Sequence, residues 1–213
     1  GLSHEGIDKL GQEPAGSVRK VSRRDMPISI GLGETGATTV AATMIIAHKA
    51  GIKVFATGGI GGVHRGAPYD VSADLYELGR TPVAIVCAGA KSILDLPLTM
   101  EVLETQGVPV IGYGTYELPA FYTRKSGIAL DACVDTPEQA AQVIRAMFAL
   151  NLGHGAVFAV PVPEADAMTA EAAERAINQA IAEAEAQGIH GKAVTPFLLA
   201  RVAEITGGES RRA

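Results

Sequence analysis

Apolar residues along the chain gather into short runs that end at glycine-bearing loops, and between them lie longer stretches of helical composition. Residues 27–30 (PISI) predict a short strand before Gly31-Leu32-Gly33, and residues 37–49 predict a helix stopping before Gly51. Residues 53–57 (KVFAT) read as a buried strand that empties into Gly58-Gly59-Ile60-Gly61-Gly62. A short helix over 72–78 has Ser72 as its N-cap, and residues 82–87 (PVAIVC) form the next strand. A helix follows from about Lys91 to Thr105, closed by Gly107 and bent or interrupted by Pro97. Residues 108–113 and 155–162 are further strands. Helices are expected from Thr136, with Pro137 in the first turn, over 165–187, and over 196–205.

Strands separated by helices imply parallel βαβ units, hence one α/β domain over residues 1–213 with a largely parallel sheet and helices on both faces. In such sheets ligands bind beyond the carboxyl ends of the strands. That rule selects four loops: Gly31–Thr39, Gly58–Asp74, Ala88–Lys91 and Gly112–Glu117.

Composition narrows the function. A 47% hydrophobic share suits a buried core, and 18 basic against 23 acidic residues give a net charge of −5 without a basic tract. Nucleic-acid polymers and anionic membranes are therefore poor candidate partners, whereas a small anion needs only a few local cations. Cys87 and Cys133 lie in apolar surroundings outside any C-x-x-C pair, which disfavours a zinc knuckle and predicts buried, reduced thiols. The chain has no apolar run long enough for a membrane span, and GLSHEGIDKLGQE lacks a signal-peptide core. The expected location is cytoplasmic.

Lys91 ends Cys87-Ala88-Gly89-Ala90-Lys91, after an apolar strand and before a helix. Desolvation and the helix dipole would lower its pKa, and a neutral lysine amine forms Schiff bases. A snorkelling lysine or a phosphate clamp is the alternative. The glycine turn 58–62 can present N–H groups to an anion, and His64 beside it can orient a hydroxyl, move protons, or make a purely structural hydrogen bond. Asp70 and Asp74 flank Ser72 and suit a hard divalent cation, or else helix capping. Lys20, in the densest basic run, reaches a phosphate or is simply solvated. Thr38 and Thr39, before Val40, offer hydroxyls and free N–H groups to a phosphate, or a helix cap.

Eight segments in order, KVSRRDMP (20–27), GATTVAATM (36–44), FATGGIGGVHRGA (55–67), DVSADL (70–75), CAGAKSILDLP (87–97), LETQGVPVIGYGT (103–115), LPAFY (118–122) and GKAVTPFLLARVAEITGG (191–208), resemble the pseudouridine-5′-phosphate glycosidase family, also called indigoidine synthase A-like. The resemblance implies a three-layer α/β/α sandwich that assembles as a homotrimer and reversibly cleaves pseudouridine 5′-phosphate to uracil and ribose 5-phosphate. It implies that Lys91 attacks C1′ of the ring-opened sugar, that His64 is an active-site histidine, and that Asp70 holds Mn²⁺ largely through waters. Lys20, Val40, Ser72, Ala73 and Asp74 match substrate contacts. Gly1-Leu2-Ser3 matches an internal stretch of the family, so its general-acid glutamate and a C-terminal segment with a phosphate-contacting asparagine are expected outside residues 1–213. The expectations are then one piece of an enzyme, with an N-terminal segment packing on it, or an incomplete phosphosugar- or nucleotide-binding relative.

Overall fold

The structure is a computed structural model that describes residues 2–14 and 16–213. It opens with α1 (His4–Gln12), where Ser3 Oγ accepts the Gly6 N–H, followed by β1 (Arg19–Val21). Residues 27–30 are not a strand. They belong to α2 (Met26–Leu32), with Pro27 in the first turn and Gly33 closing it at φ +65°. A first-turn proline has no intrahelical N–H to lose, and four apolar residues carry too little periodicity to separate helix from strand.

β2 (Gly36–Thr38) pairs parallel with β1, which delays the next helix. That helix, α3 (Val40–Lys49), starts where Thr39 Oγ1 accepts the Ala42 N–H. Then come β3 (Val54–Ala56), β4 (Val63–His64), β5 (Ala67–Val71) and α4 (Ala73–Leu78), the last capped by Ser72 as predicted. After β6 (Ala84–Cys87) and β7 (Leu94–Asp95), α5 spans Leu96–Thr105. It is shorter than predicted because Asp95 Oδ1 caps the Leu98 N–H, and Pro97 begins the helix instead of bending it. β8 (Val110–Tyr113), β9 (Ala132–Val134), α6 (Pro137–Leu150), β10 (Ala156–Ala159), α7 (Ala170–Ala186) and α8 (Val194–Ile205) complete the main elements.

The principal sheet runs β3-β6-β10-β8-β9, and every pair is parallel. Alternation along β6 and β10 explains the layers. Ile85, Cys87, Val157 and Ala159 face a core shared with Met44 of α3, Leu75 and Leu78 of α4 and Leu103 of α5. Ala84, Ala156 and Phe158 face the other way, against Met147 of α6. Both faces are covered, giving the three-layer α/β/α arrangement. Outside the sheet, α7 and α8 pack on each other around Ile93, Leu94 and Tyr122. A second, antiparallel sheet of order β5-β4-β7 was not signalled by the pattern, because its strands are short and half-exposed.

The β1–α2 segment is fastened to this body by one carboxylate. Glu77 on α4 is fully buried and accepts from Arg23 Nε at 2.8 Å, Arg23 Nη2 at 2.5 Å, Arg80 Nη2 at 3.1 Å and the Thr81 hydroxyl. Burial by itself pushes this carboxyl up, but the hydrogen bonds from Arg23 and Thr81 and the charges of Arg80 and Arg23 outweigh it and hold it below the ordinary range.

Because Arg23 and Arg80 remain about half exposed, Glu77→Gln should cost roughly 2–3 kcal/mol, below the full cost of breaking a buried pair. Urea unfolding checks this. A carboxyl depressed in the folded state stabilises above its unfolded pKa, and this contribution disappears as pH falls through the folded pKa. The gap between parent and variant should therefore be full at pH 7 and close on acidification; an equal midpoint at pH 7 would show that Glu77 bears no load.

Candidate active site

The pairing of β3 with β6 continues beyond both strands. Thr57 N–H donates to Val86 O, Ala88 N–H to Gly58 O, Ile60 N–H to Gly89 O and Lys91 N–H to Ile60 O, at 3.0–3.1 Å. The glycine loop and the lysine loop are thereby zipped side by side. Glycine is required at 89, where φ is +90° and a Cβ would stand 2.5 Å from Pro119 O. It is also required at 61, where a Cβ would meet Ser72 Oγ at 2.2 Å.

An anion does sit on this glycine turn, and it is the protein's own. Asp74, only 5% exposed, accepts the Gly61 N–H on Oδ2 and the Ala41 N–H on Oδ1, each at 2.9 Å. Three N–H groups of the glycine turn and the α3 start are therefore not open to a substrate phosphate. Ala41 and Gly61 serve Asp74, and Ala42 serves Thr39 Oγ1 at 3.4 Å. Asp70 is exposed on β5, while Asp74 is turned into the backbone.

A cavity of about 1160 Å³ opens over these loops. Lys20, Thr38, Thr39, Val40, His64, Asp70, Ser72, Ala73, Asp74 and Lys91 all line it, so the residues singled out from sequence share one pocket. The loop 112–117, also selected, takes no part in its wall. Sequence reasoning missed Arg23, Arg80, Phe121, Thr195, Pro196 and Leu199. The last three come from α8, which long-range packing brings in; His64 Nε2 lies 3.4 Å from Thr195 Oγ1.

Burial pushes the Lys91 ammonium below the ordinary lysine range, with Asp74 opposing, Lys20 reinforcing and Cys87 opposing. A helix N-terminus is not the cause, since α5 begins only at Leu96. Burial also lowers His64; Asp70 opposes this, and Lys20 and Lys91 add to it. The pocket thus holds a lysine biased toward the free amine beside a histidine biased toward neutrality. Burial pushes the Cys87 thiol up to about 11, so it is no competing nucleophile. Cys133 is half-buried, not buried as predicted, and both cysteines are free.

Among the described residues no group of three or more His, Cys, Asp and Glu side chains could hold a metal. One exposed carboxylate, Asp70, fits a hard cation that keeps most of its water and does not fit a dehydrated ion caged by protein. Also among the described residues, no helix is long and apolar enough to cross a membrane.

The three-layer α/β/α sheet places the loops after β3 and β6, with the half-buried Lys91, at the carboxyl ends of its strands, where enzymes of this layered class bind small ligands. The family model described as "Indigoidine synthase A like protein" matches residues 1–213, and the chain belongs to that family. The pseudouridine-5′-phosphate glycosidase of Hahella chejuensis is 59% identical over 215 residues, an alignment covering 100% of this chain and 71% of that one. Curated relatives are longer: the chain spans 62–71% of their length. The prealnumycin C-glycosynthase AlnA, solved in complex with ribulose 5-phosphate, is similar with a TM-score of 0.90 at 39% identity, covering 100% of this chain and 71% of that chain. An indigoidine synthase A-like protein from Thermotoga maritima has a TM-score of 0.91 at 36% identity, with coverages of 100% and 69%.

If Lys20 helps to depress Lys91, Lys20→Ala removes a positive neighbour and Lys91 must titrate at higher pH. Acylation of Lys91 by a neutral amine reagent, mapped by mass spectrometry across pH, should shift to the alkaline side in this variant. A superimposable profile would show that the two ammonium groups do not interact.

Proposed function

We propose that this chain performs the chemistry named for its relatives: reversible cleavage of the C1′–C5 bond of pseudouridine 5′-phosphate, giving uracil and ribose 5-phosphate, with Lys91 as nucleophile. The observation that carries the reading is the half-buried Lys91 amine in a cavity roomy enough for a nucleotide, beside Lys20 and His64. The phosphosugar in the solved C-glycosynthase relative supports the same ligand class.

The C1′–O4′ bond breaks first, its electron pair leaving on O4′, which takes a proton while uracil N1 gives one up, so that C1′ becomes the end of an exocyclic C1′=C5 bond. The Lys91 nitrogen then bonds to C1′, the π pair returns to the uracil ring, N1 regains a proton and the nitrogen gives one up. The C1′–C5 bond then breaks; its electron pair stays on uracil C5, which takes a proton, and the nitrogen lone pair makes the C1′=N iminium. Water hydrolyses the iminium, releasing ribose 5-phosphate and the free amine. The iminium supplies an electron sink for a carbon leaving group that two carboxylates, as in ordinary glycoside hydrolases, do not provide. Neutral His64, next to Thr195, moves a proton during ring opening. Lys20 and the hydroxyls of Thr38, Thr39 and Ser72 hold the phosphosugar, with Val40 and Ala73 as walls. Asp74 aligns the loops instead of serving as a free ligand. Asp70 would hold Mn²⁺ largely through waters, and the ion would supply positive charge beside the phosphosugar. The proton for C5 is assigned to the upstream glutamate implied by the resemblance, and the active form to a cytoplasmic homotrimer. Exposed Ile30 and Leu32 on α2 offer apolar surface for subunit contact.

Incubation with ribose 5-phosphate followed by borohydride should add one reduced sugar phosphate to Lys91, found by peptide mass mapping. Lys91→Arg keeps the charge, lacks a neutral amine, and should give no adduct. An adduct elsewhere, or undiminished capture in the variant, removes Lys91 from the mechanism.

Asp70→Ala should weaken Mn²⁺ binding at least roughly tenfold, because one protein oxygen is lost from the shell. Electron paramagnetic resonance of free Mn²⁺ measures this, and parental affinity in the variant would leave Asp70 as a surface carboxylate only.

A further inference from the structure

Phe121 lines the cavity in a backbone conformation that no local rule explains. Its φ is +62°, and among the described residues the other non-glycine with positive φ is Asn151, at the end of α6 where asparagine commonly closes a helix. A bulky aromatic in this region is strained, and such strain persists only where surrounding structure over-determines it. Here it does. The Phe121 N–H donates to Ala88 O at 3.1 Å, and Ala120 and Thr123 bond each other across the turn. The next residue, Tyr122, is buried in the α7–α8 core, its carbonyl accepting from Met168 N–H. Tyr122 anchors the turn in that core, and the partly buried Phe121 ring packs edge to face on it, centroids 4.8 Å apart at 65°, while also lining the cavity.

The Phe121 ring lies against the glycine loop. A Cβ on Gly59 would stand 2.6 Å from Phe121 Cε2, so the missing side chain at 59 lets the ring settle there. Through Ala88 the ring is tied to the same loop that carries Lys91. The cations that line the cavity, Lys20, Arg23, Arg24 and Arg80, come from the β1–α2 and α4 side. Lys91 and the Phe121 ring line the same cavity as those cations, so one ligand filling it can touch all three.

We propose that the Phe121 ring is the platform on which the flat heterocycle of the substrate stacks, so that Phe121 determines specificity for an aromatic base over other carbon-linked groups. This rests on the reading of the substrate as a C-linked nucleotide. Stacking of a base on an aromatic side chain is worth enough to shift affinity by about tenfold or more.

The test measures binding by calorimetry on the Lys91→Arg background, where nothing is turned over. The quantity read is the ratio of Kd for pseudouridine 5′-phosphate to Kd for ribose 5-phosphate. Phe121→Gly relieves the positive φ and removes the ring, and Phe121→Leu keeps the bulk without the π-face. Both should shift this ratio about tenfold against the base-bearing ligand, and Phe121→Trp should return it toward the parent. Phe121→Gly relieves the positive φ but loses the ring's packing against the α7–α8 cluster, so the ratio is read where urea unfolding shows each variant still folded, which separates loss of the platform from loss of the fold. A ratio within twofold of the parent in both the Gly and Leu variants overturns the proposal. The borohydride adduct on Lys91 judges the reaction independently, so failure of that reading and failure of this one give different results.

Discussion

One buried carboxylate organises the pocket. Asp74 stands at the start of α4 and places each of its oxygens on a backbone N–H from a different segment, Ala41 at the head of α3 and Gly61 in the turn after β3. Removing a buried anion from water is costly unless its hydrogen bonds are made, so the two segments cannot drift apart without exposing an unpaired charge. Three independent pieces of chain are thereby held to one geometry. The same charge lies close enough to Lys91 to temper the effect of burial on it. The scaffold and the electrostatics of the site therefore meet in a single side chain.

The glycine-rich turn is best understood from this constraint. Each glycine with a close neighbour marks a place where something else had to approach: Ser72 at Gly61, Thr99 at Gly62, the Phe121 ring at Gly59 and Pro119 O at Gly89. The turn is dense in glycine because it is crowded, and crowding leaves little freedom for the lysine loop zipped beside it. Preorganisation of this kind keeps the Lys91 amine in the cavity instead of letting it swing out to water.

The strands at 84–87, 110–113 and 156–159 were legible because a doubly covered parallel strand must be apolar throughout, whereas 54–56, expected to be buried, is an edge strand with Val54 and Ala56 exposed. The short β9, Ala132–Val134, was not, since a three-residue edge strand leaves no such run. Two prolines misled for one reason. In Asp25-Met26-Pro27 and Asp95-Leu96-Pro97 an aspartate at the N-cap position precedes a proline in the first turn, a helix-start signal that the apolar character of PISI and the length of 91–105 concealed. The site itself was largely readable, because the parallel-sheet rule sent attention to the loops after β3 and β6. What escaped was set by distance or by backbone: Thr195 reaches His64 across 131 positions of sequence, and nothing in the letters LPAFY announces a positive φ at Phe121.

The position of β10 has a consequence for how the chain comes to be folded. It lies between β6 and β8, in the middle of the sheet, yet it is formed by residues 156–159, after every other strand. During synthesis β6 and β8 must wait with their facing edges unpaired, and the two halves of the sheet have no hydrogen-bonded connection until the late strand inserts. Completion is therefore a long-range closure, slow compared with local helix formation, and it exposes apolar strand edges to neighbouring chains while it is pending. Yield of this protein in a cell should depend more on protection of nascent chains over that interval than on the stability of the finished sheet.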